Sequence, residues 1–265
     1  MVSRRFVLAL GAAALLTGCA PEDSGRSDGG HVLARPSPSV SMSPAWQPPP
    51  ANPPVAGVCP TVPGIVDKPG APQHYLPCHG TDIALTIDDG PDAEWTPQVL
   101  DLLERLAVKA TFCMIGKKAA ANPGIVRAVI DGGHHIANHT FTHPENLHKL
   151  PDPQVKDEIG KAMDAITAAS GGHRPTLFRS PGGAWSPTVL QECAAQAVRP
   201  LDWSVDPRDW SRPGVQHIAT TILTHTHPGS IILEHDGGGN RAQTIQALRL
   251  ALPRLLDAGY HFVQP

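Results

Sequence analysis

The chain has 265 residues with a formal net charge of -3. That length admits one domain plus an extension. The charge gives no basic footprint for nucleic acid and no strong steering of charged partners. Its 29 prolines are unevenly spread, and that unevenness divides the chain.

Arg4 and Arg5 precede the short apolar run Phe6 to Leu16. This is the pattern of an export signal, and it is too short to span a bilayer comfortably. The Ser3-Arg4-Arg5 start also hints at twin-arginine export. Leu16-Thr17-Gly18-Cys19 resembles a bacterial lipobox, which makes Cys19 the expected lipidation site and residues 1–19 a lipoprotein signal peptide. An ordinary cleaved secretory signal is the alternative. The expected location is therefore outside the cell membrane, lipid-anchored and facing the cell wall.

Residues 20–54 are rich in Pro, Ser, Gly and Ala and lack apolar periodicity. Such a composition cannot bury enough surface to offset its ordering entropy, so it reads as a disordered tether. Residues 55–80 form a transition segment, and 81–265 the folded domain. If Cys19 carries lipid, then Cys59, Cys78, Cys113 and Cys193 remain. In an exported chain that number permits two disulfides. Cys59 with Cys78 is the preferred pair, and Cys113 lies in an apolar run as a candidate buried thiol.

From Asp82 onward, short apolar runs alternate with amphipathic stretches. Strands are expected at Ile83–Ile87, Ala110–Ile115, His135–Ala137, Leu177–Arg179, Arg199–Trp203, Ser230–Glu234 and His261–Val263. Helices are expected at Thr96–Ala107, Lys117–Asp131, Asp152–Ala169, Ser186–Ala197, Val215–Thr224 and Ala242–Asp257. The first helix carries Val99, Leu102, Leu103 and Leu106 on one face. The last carries Ile245, Leu248, Leu252 and Leu255, with Pro253 predicting a kink and Gly259 a stop. Alternating β and α units imply an α/β fold with a parallel sheet. Seven strands suggest a closed or nearly closed barrel, whose functional groups would sit at the C-terminal strand ends.

Five polar clusters fall at those ends. Thr86-Ile87-Asp88-Asp89-Gly90-Pro91 ends the first strand, where adjacent carboxylates repel. His139-Thr140-Phe141-Thr142-His143 follows the third, and two His four apart can share one face of a helical turn and meet one metal. Arg179-Ser180-Pro181-Gly182-Gly183, Asp206-Pro207-Arg208-Asp209-Trp210 and Leu233-Glu234-His235-Asp236 follow the fourth, fifth and sixth. Each alone also reads as a turn or a satisfied polar residue. A barrel would bring all five to one mouth, where one Asp and two His make a facial metal set with open positions.

In order and content the five clusters resemble the motifs of the NodB-like polysaccharide deacetylases, carbohydrate esterase family four. The resemblance runs from about Asp82 to the C-terminus. It implies a distorted (β/α)7-type barrel and one divalent metal, most often Zn²⁺ with Co²⁺ as a substitute. Carried onto this chain, it makes Asp88 the catalytic base and Asp89, His139 and His143 the metal ligands. Arg179 holds the base, His235 is the catalytic acid, and Asp209 positions that acid. Gly182 would offer a backbone N–H to the oxyanion, and Trp210 belongs to the substrate-binding fourth motif. The implied activity is hydrolysis of N-acetyl groups on a cell-wall polysaccharide, with peptidoglycan N-acetylglucosamine the preferred substrate. Chitooligosaccharide, acetylated xylan and an inactive wall-binding module are the alternatives. A monomer is the default.

The chain departs from that pattern twice. Gly182 stands where an aromatic is usual, and Glu234 where an apolar residue is usual. Strand alternation points Glu234 away from Leu233 and His235, toward the helix layer, where it needs a partner.

Overall fold

A computed structural model describes residues 46–55, 70–77 and 79–265. The expected signal peptide, its Cys19 lipidation site, most of the tether, and Cys59 and Cys78 lie outside the described residues. Among the described residues seven strands are observed: β1 Asp82–Gly90, β2 Thr111–Met114, β3 His135–Asn138, β4 Leu177–Phe178, β5 Arg199–Pro200, β6 Ile231–His235 and β7 His261–Phe262. The α-helices are α1 Thr96–Arg105, α2 Gly116–Ala121, α3 Pro123–Asp131, α4 Asp152–Ala169, α5 Pro187–Ala195, α6 Val215–His225 and α7 Ala242–Asp257.

All ladders are parallel, in the order β5-β4-β3-β2-β1-β6, with β7 beside the start of β1. The sheet curls, and a single bridge from Val205 to Ile232 links the segment after β5 to β6. This is the expected distorted (β/α) barrel, closed on that side by one bridge instead of a ladder.

Alternation along β1 builds two layers. Ile83, Leu85 and Ile87 face outward and pack with Val99, Leu103, Ile222 and Leu248 of the helices. Ala84 faces inward with Cys113, Ala137, Leu177, Leu201 and Ile231. Each large side chain of the outer layer, Leu103 for example, contributes roughly 1.5–3 kcal/mol through burial. On the inner face Thr86 and Asp88 follow Ala84, so polarity rises toward the C-terminal mouth. The register with β6 sets Asp88 beside His235.

Several expectations change in detail. The single helix expected over Lys117–Asp131 is two, because Pro123 excludes Asn122 from the helical region (φ -130, ψ 53). The strand expected over Arg199–Trp203 stops at Pro200, and Leu201 instead bridges to Gln73. The last helix runs on through Pro253. It ends where expected: Gly259 takes φ +93, Tyr260 N–H donates to Leu255 O and Gly259 N–H to Leu256 O. That pair of bonds is a Schellman closure, which needs a left-handed residue at Gly259. Cys113 and Cys193 are buried and free. Ala51 and Asn52, within the expected tether, dock on the fold, Asn52 bonding to Leu223 O and Thr224 O.

Candidate active site

The first carboxylate pair owes its geometry to a bulge. β1 pairs Asp88 with Cys113 and Gly90 with Met114, skipping Asp89, which takes φ +71. A bulge re-aims side chains where simple alternation would send them to opposite faces. Asp88 and Asp89 consequently line the same cavity, of about 410 Å³. Glycines make room for the bulge. A Cβ at Gly237 would stand 2.1 Å from Asp89 O, one at Gly238 2.6 Å from Asp89 Oδ2, and one at Gly90 2.3 Å from Asp236 Oδ1. Lys118 Nζ also donates to Asp89 O at 2.7 Å.

The His pair meets Asp89 without any helix. Residues 139–143 form a loop in which Thr140 and His143 take φ +66 and +65, correcting the helical-turn expectation. Glu158 of α4 holds this loop, its carboxylate accepting from Phe141 N–H, Thr142 N–H and Thr142 Oγ1. His143 Nε2 lies 3.1 Å and His139 Nε2 3.6 Å from Asp89 Oδ1. His139 Nδ1 is 2.8 Å from Arg179 O, so it donates there and leaves the Nε2 lone pair free. Asp89 Oδ1 is buried with no hydrogen-bond donor among the described residues. One ligand atom from each of Asp89, His139 and His143 lies within 4.8 Å of the others. Two imidazole nitrogens and an orphaned carboxylate oxygen fit a divalent cation.

Two of the three groups carry the charge state a ligand needs, while the neighbouring carboxylates raise His143. Burial alone would raise the pKa of Asp89, but His143, His139 and His235 outweigh it and hold the carboxyl well below the usual range. Burial pulls His139 down, keeping it neutral, as a ligand must be.

Behind the cavity stands Arg179, fully buried. Its Nη1 donates to Asp88 Oδ1 at 2.7 Å and to Thr86 Oγ1 at 2.8 Å, and its Nη2 to Asp202 O at 2.8 Å. Its guanidinium lies 5.6 Å from the Trp203 ring centroid. Beside β6 Asp209 is buried, and its Oδ1 is 2.6 Å from His235 Nδ1. Its Oδ2 accepts from His235 N–H at 3.0 Å and from Thr244 Oγ1 at 2.7 Å. Burial opposes protonation of His235, yet Asp209 prevails and lifts it to about 9. His235 is thus an imidazolium at neutral pH.

Gly182 and Gly183 both take left-handed backbone (φ +60 and +65). Gly183 N–H bonds to Ser180 O and Ala184 N–H to Pro181 O, whereas Gly182 N–H has no backbone acceptor. Gly182, Trp210 and His235 line the cavity together with the Asp and His groups. Arg179 and Asp209 support it from behind. The nine site residues expected within the folded domain therefore converge. Arg241, Trp203 and Glu145, which also line the cavity, had no motif to mark them. Neither did Asp202, or Glu158, seventeen residues beyond the Phe141 whose N–H it accepts. A charged residue on a predicted buried face is the signal that would have singled out Asp202.

A curled parallel sheet with a candidate three-ligand cation site, an arginine-held carboxylate and a carboxylate-held imidazolium at its mouth has the parts of a hydrolase of the barrel class. Residues 77–201 match the family profile described as polysaccharide deacetylase. The chain is 39% identical over 200 residues to a chitooligosaccharide deacetylase of Bradyrhizobium sp. (strain ANU 289), covering 71% of this chain and 91% of that protein. It is 40% identical over 185 residues to a peptidoglycan-N-acetylglucosamine deacetylase of Bacillus cereus, covering 68% and 84%. The crystal structure of the Bc1960 peptidoglycan N-acetylglucosamine deacetylase superposes with a TM-score of 0.69 at 35% identity, covering 72% of this chain and 89% of that one. The chain belongs to the polysaccharide deacetylase family.

Proposed function

We propose that the protein hydrolyses N-acetyl groups of a cell-wall polysaccharide, most readily the N-acetylglucosamine of peptidoglycan, with a single divalent cation held by Asp89, His139 and His143. The observation that carries this reading is the pair that shares the cavity: Asp88 fixed by Arg179 on β1, and beside it on β6 His235 charged by Asp209. A base and an acid held by different partners suit general acid–base hydrolysis.

A cation in this site, Zn²⁺ or Co²⁺, would supply Lewis acidity that polarises the acetyl carbonyl and acidifies water. Asp88 takes a proton from the attacking water, while Arg179 holds that carboxylate in place. The Gly182 N–H, at the cavity and without a backbone acceptor among the described residues, would serve the developing oxyanion; one such donor is worth about 3–4 kcal/mol. His235 passes its proton to the departing nitrogen, so acetate and the free amine leave. An amide nitrogen is a poor leaving group until protonated, which gives His235 a larger part than an ester would require. Trp203, and the exposed Trp210 with Arg208 5.0 Å from its ring centroid, offer apolar faces for a sugar ring.

Placement next to the wall belongs to this proposal: export and lipidation at Cys19 would set a tethered domain beside the polymer. Names of the relatives support the substrate class. Acetate release from peptidoglycan, chitooligosaccharide and acetylated xylan, each with Zn²⁺ and with a chelator, tests it. Release from N-acetylated glycan that the chelator abolishes is expected; release from xylan alone would replace the amide reading.

A further inference from the structure

Glu234 is fully buried, and among the described residues neither of its carboxyl oxygens meets a hydrogen-bond donor. Its direction is set by β6. Its neighbour across the ladder is Ile87, on the helix-facing side of β1, whereas His235 pairs with Asp88 on the inner side. The ionisable groups facing it are Asp209, within hydrogen-bonding reach, Asp206 and Arg241. Arg241 gives its Nε to Gly237 O and its Nη1 to Asp209 O.

The partner is found by counting lone pairs. A carboxylate has about four acceptor positions. Asp209 fills three of them, with His235 Nδ1, His235 N–H and Thr244 Oγ1. Two ionised carboxylates in contact, away from water, repel strongly, and one proton between them removes the conflict. Asp209 is the member held ionised, drawn down by His235 against its own burial. Burial and Asp209 push Glu234 far up, so the proton resides on Glu234.

We propose that Glu234 is a positioning residue for the acid: as a neutral carboxylic acid it donates its O–H to the fourth acceptor position of Asp209, locking that carboxylate against His235. The inference rests on the reading of His235 as proton donor, and it adds a third member to the Asp209–His235 pair. The donated bond also draws charge from Asp209, which raises His235 together with Asp88 and Asp89. Without it Asp209 would hold the imidazolium proton more tightly.

Two variants separate this role from simple packing. E234Q retains a neutral donor of the same shape; E234L removes the donor. In E234L we expect kcat on an N-acetylated glycan to fall on the order of tenfold, as for loss of a hydrogen bond to a charged group, with KM unchanged. The alkaline limb of its pH profile should move to higher pH. E234Q should keep wild-type kcat and limb. Wild-type kcat and limb in E234L, or an E234Q no better than E234L, overturns the proposal. Two readouts are independent of turnover and of E234L folding. The infrared difference between wild type and E234Q should show the carbonyl stretch of a neutral carboxylic acid, and its absence overturns the proposal. The His235 imidazole should titrate alike in wild type and E234Q by NMR, and a clear difference overturns it. Both hold even if no glycan proves to be a substrate.

Discussion

His139 Nδ1 donates to the carbonyl oxygen of Arg179 at 2.8 Å, while the guanidinium of the same Arg179 grips Asp88 Oδ1 at 2.7 Å. One residue thus sets the orientation of an expected metal ligand through its backbone and of the expected base through its side chain. The two functions are separable by substitution, because a side-chain change leaves the carbonyl in place.

Asp88→Asn should lower kcat by about 10²–10⁴-fold, the usual contribution of a positioned base. Metal content should stay at one per chain, since Asp89, His139 and His143 are untouched. Kinetics beside metal analysis of the same preparation checks both halves.

Arg179→Met should destabilise the fold by about 3–5 kcal/mol, because it leaves the buried Asp88 carboxylate without its partner. Adding Asp88→Asn should recover part of that loss by removing the stranded charge. Denaturant unfolding of the two single variants and the double variant measures the coupling.

The Asp209–His235 pair should leave a signature in stability against pH. His235 is raised from an ordinary value near 6.5 to about 9. Its contribution is complete below about pH 6.5 and is lost as pH rises through about 9. Asp209 is lowered, so its contribution is present above about pH 4 and is lost as pH falls through its depressed folded value. Asp209→Asn should flatten the alkaline loss, and thermal unfolding of the metal-free protein across pH reads it.

Chelation should abolish acetate release, with Zn²⁺ or Co²⁺ restoring it. The cation should also stabilise the fold, by about 4 kcal/mol when free metal exceeds Kd a thousandfold. His143→Ala should reduce both effects, since His143 Nε2 is 3.1 Å from Asp89 Oδ1. Calorimetric metal titration and thermal shift are the measurements.

Gly237→Ala should disturb the site without removing a functional group. Its Cβ would stand 2.1 Å from the Asp89 carbonyl, a backbone atom that cannot swing aside. A cost of about 1–3 kcal/mol is expected from overpacking, with weaker metal binding as Asp89 shifts. Gly124, on α3 with open space around it, serves as the control.

The sequence by itself determined the order of strands and helices, the parallel sheet, and the five strand-end clusters. Local periodicity and the barrel rule suffice for these, because they depend on neighbours in the chain. It also marked Glu234 as a carboxyl in need of a partner. Tertiary structure alone decided how the clusters join. The bulge at Asp89 turns two adjacent carboxylates into one cavity, and left-handed turns at Thr140 and His143 replace the helical turn that the His spacing suggested. The partnerships of Glu158 with the His loop, Arg241 with the cavity wall, and Glu234 with Asp209 join residues that no spacing rule connects. A hydrogen bond in a buried site depends on where two chain segments meet in space, and that is settled by packing across the sheet rather than by the residues on either side.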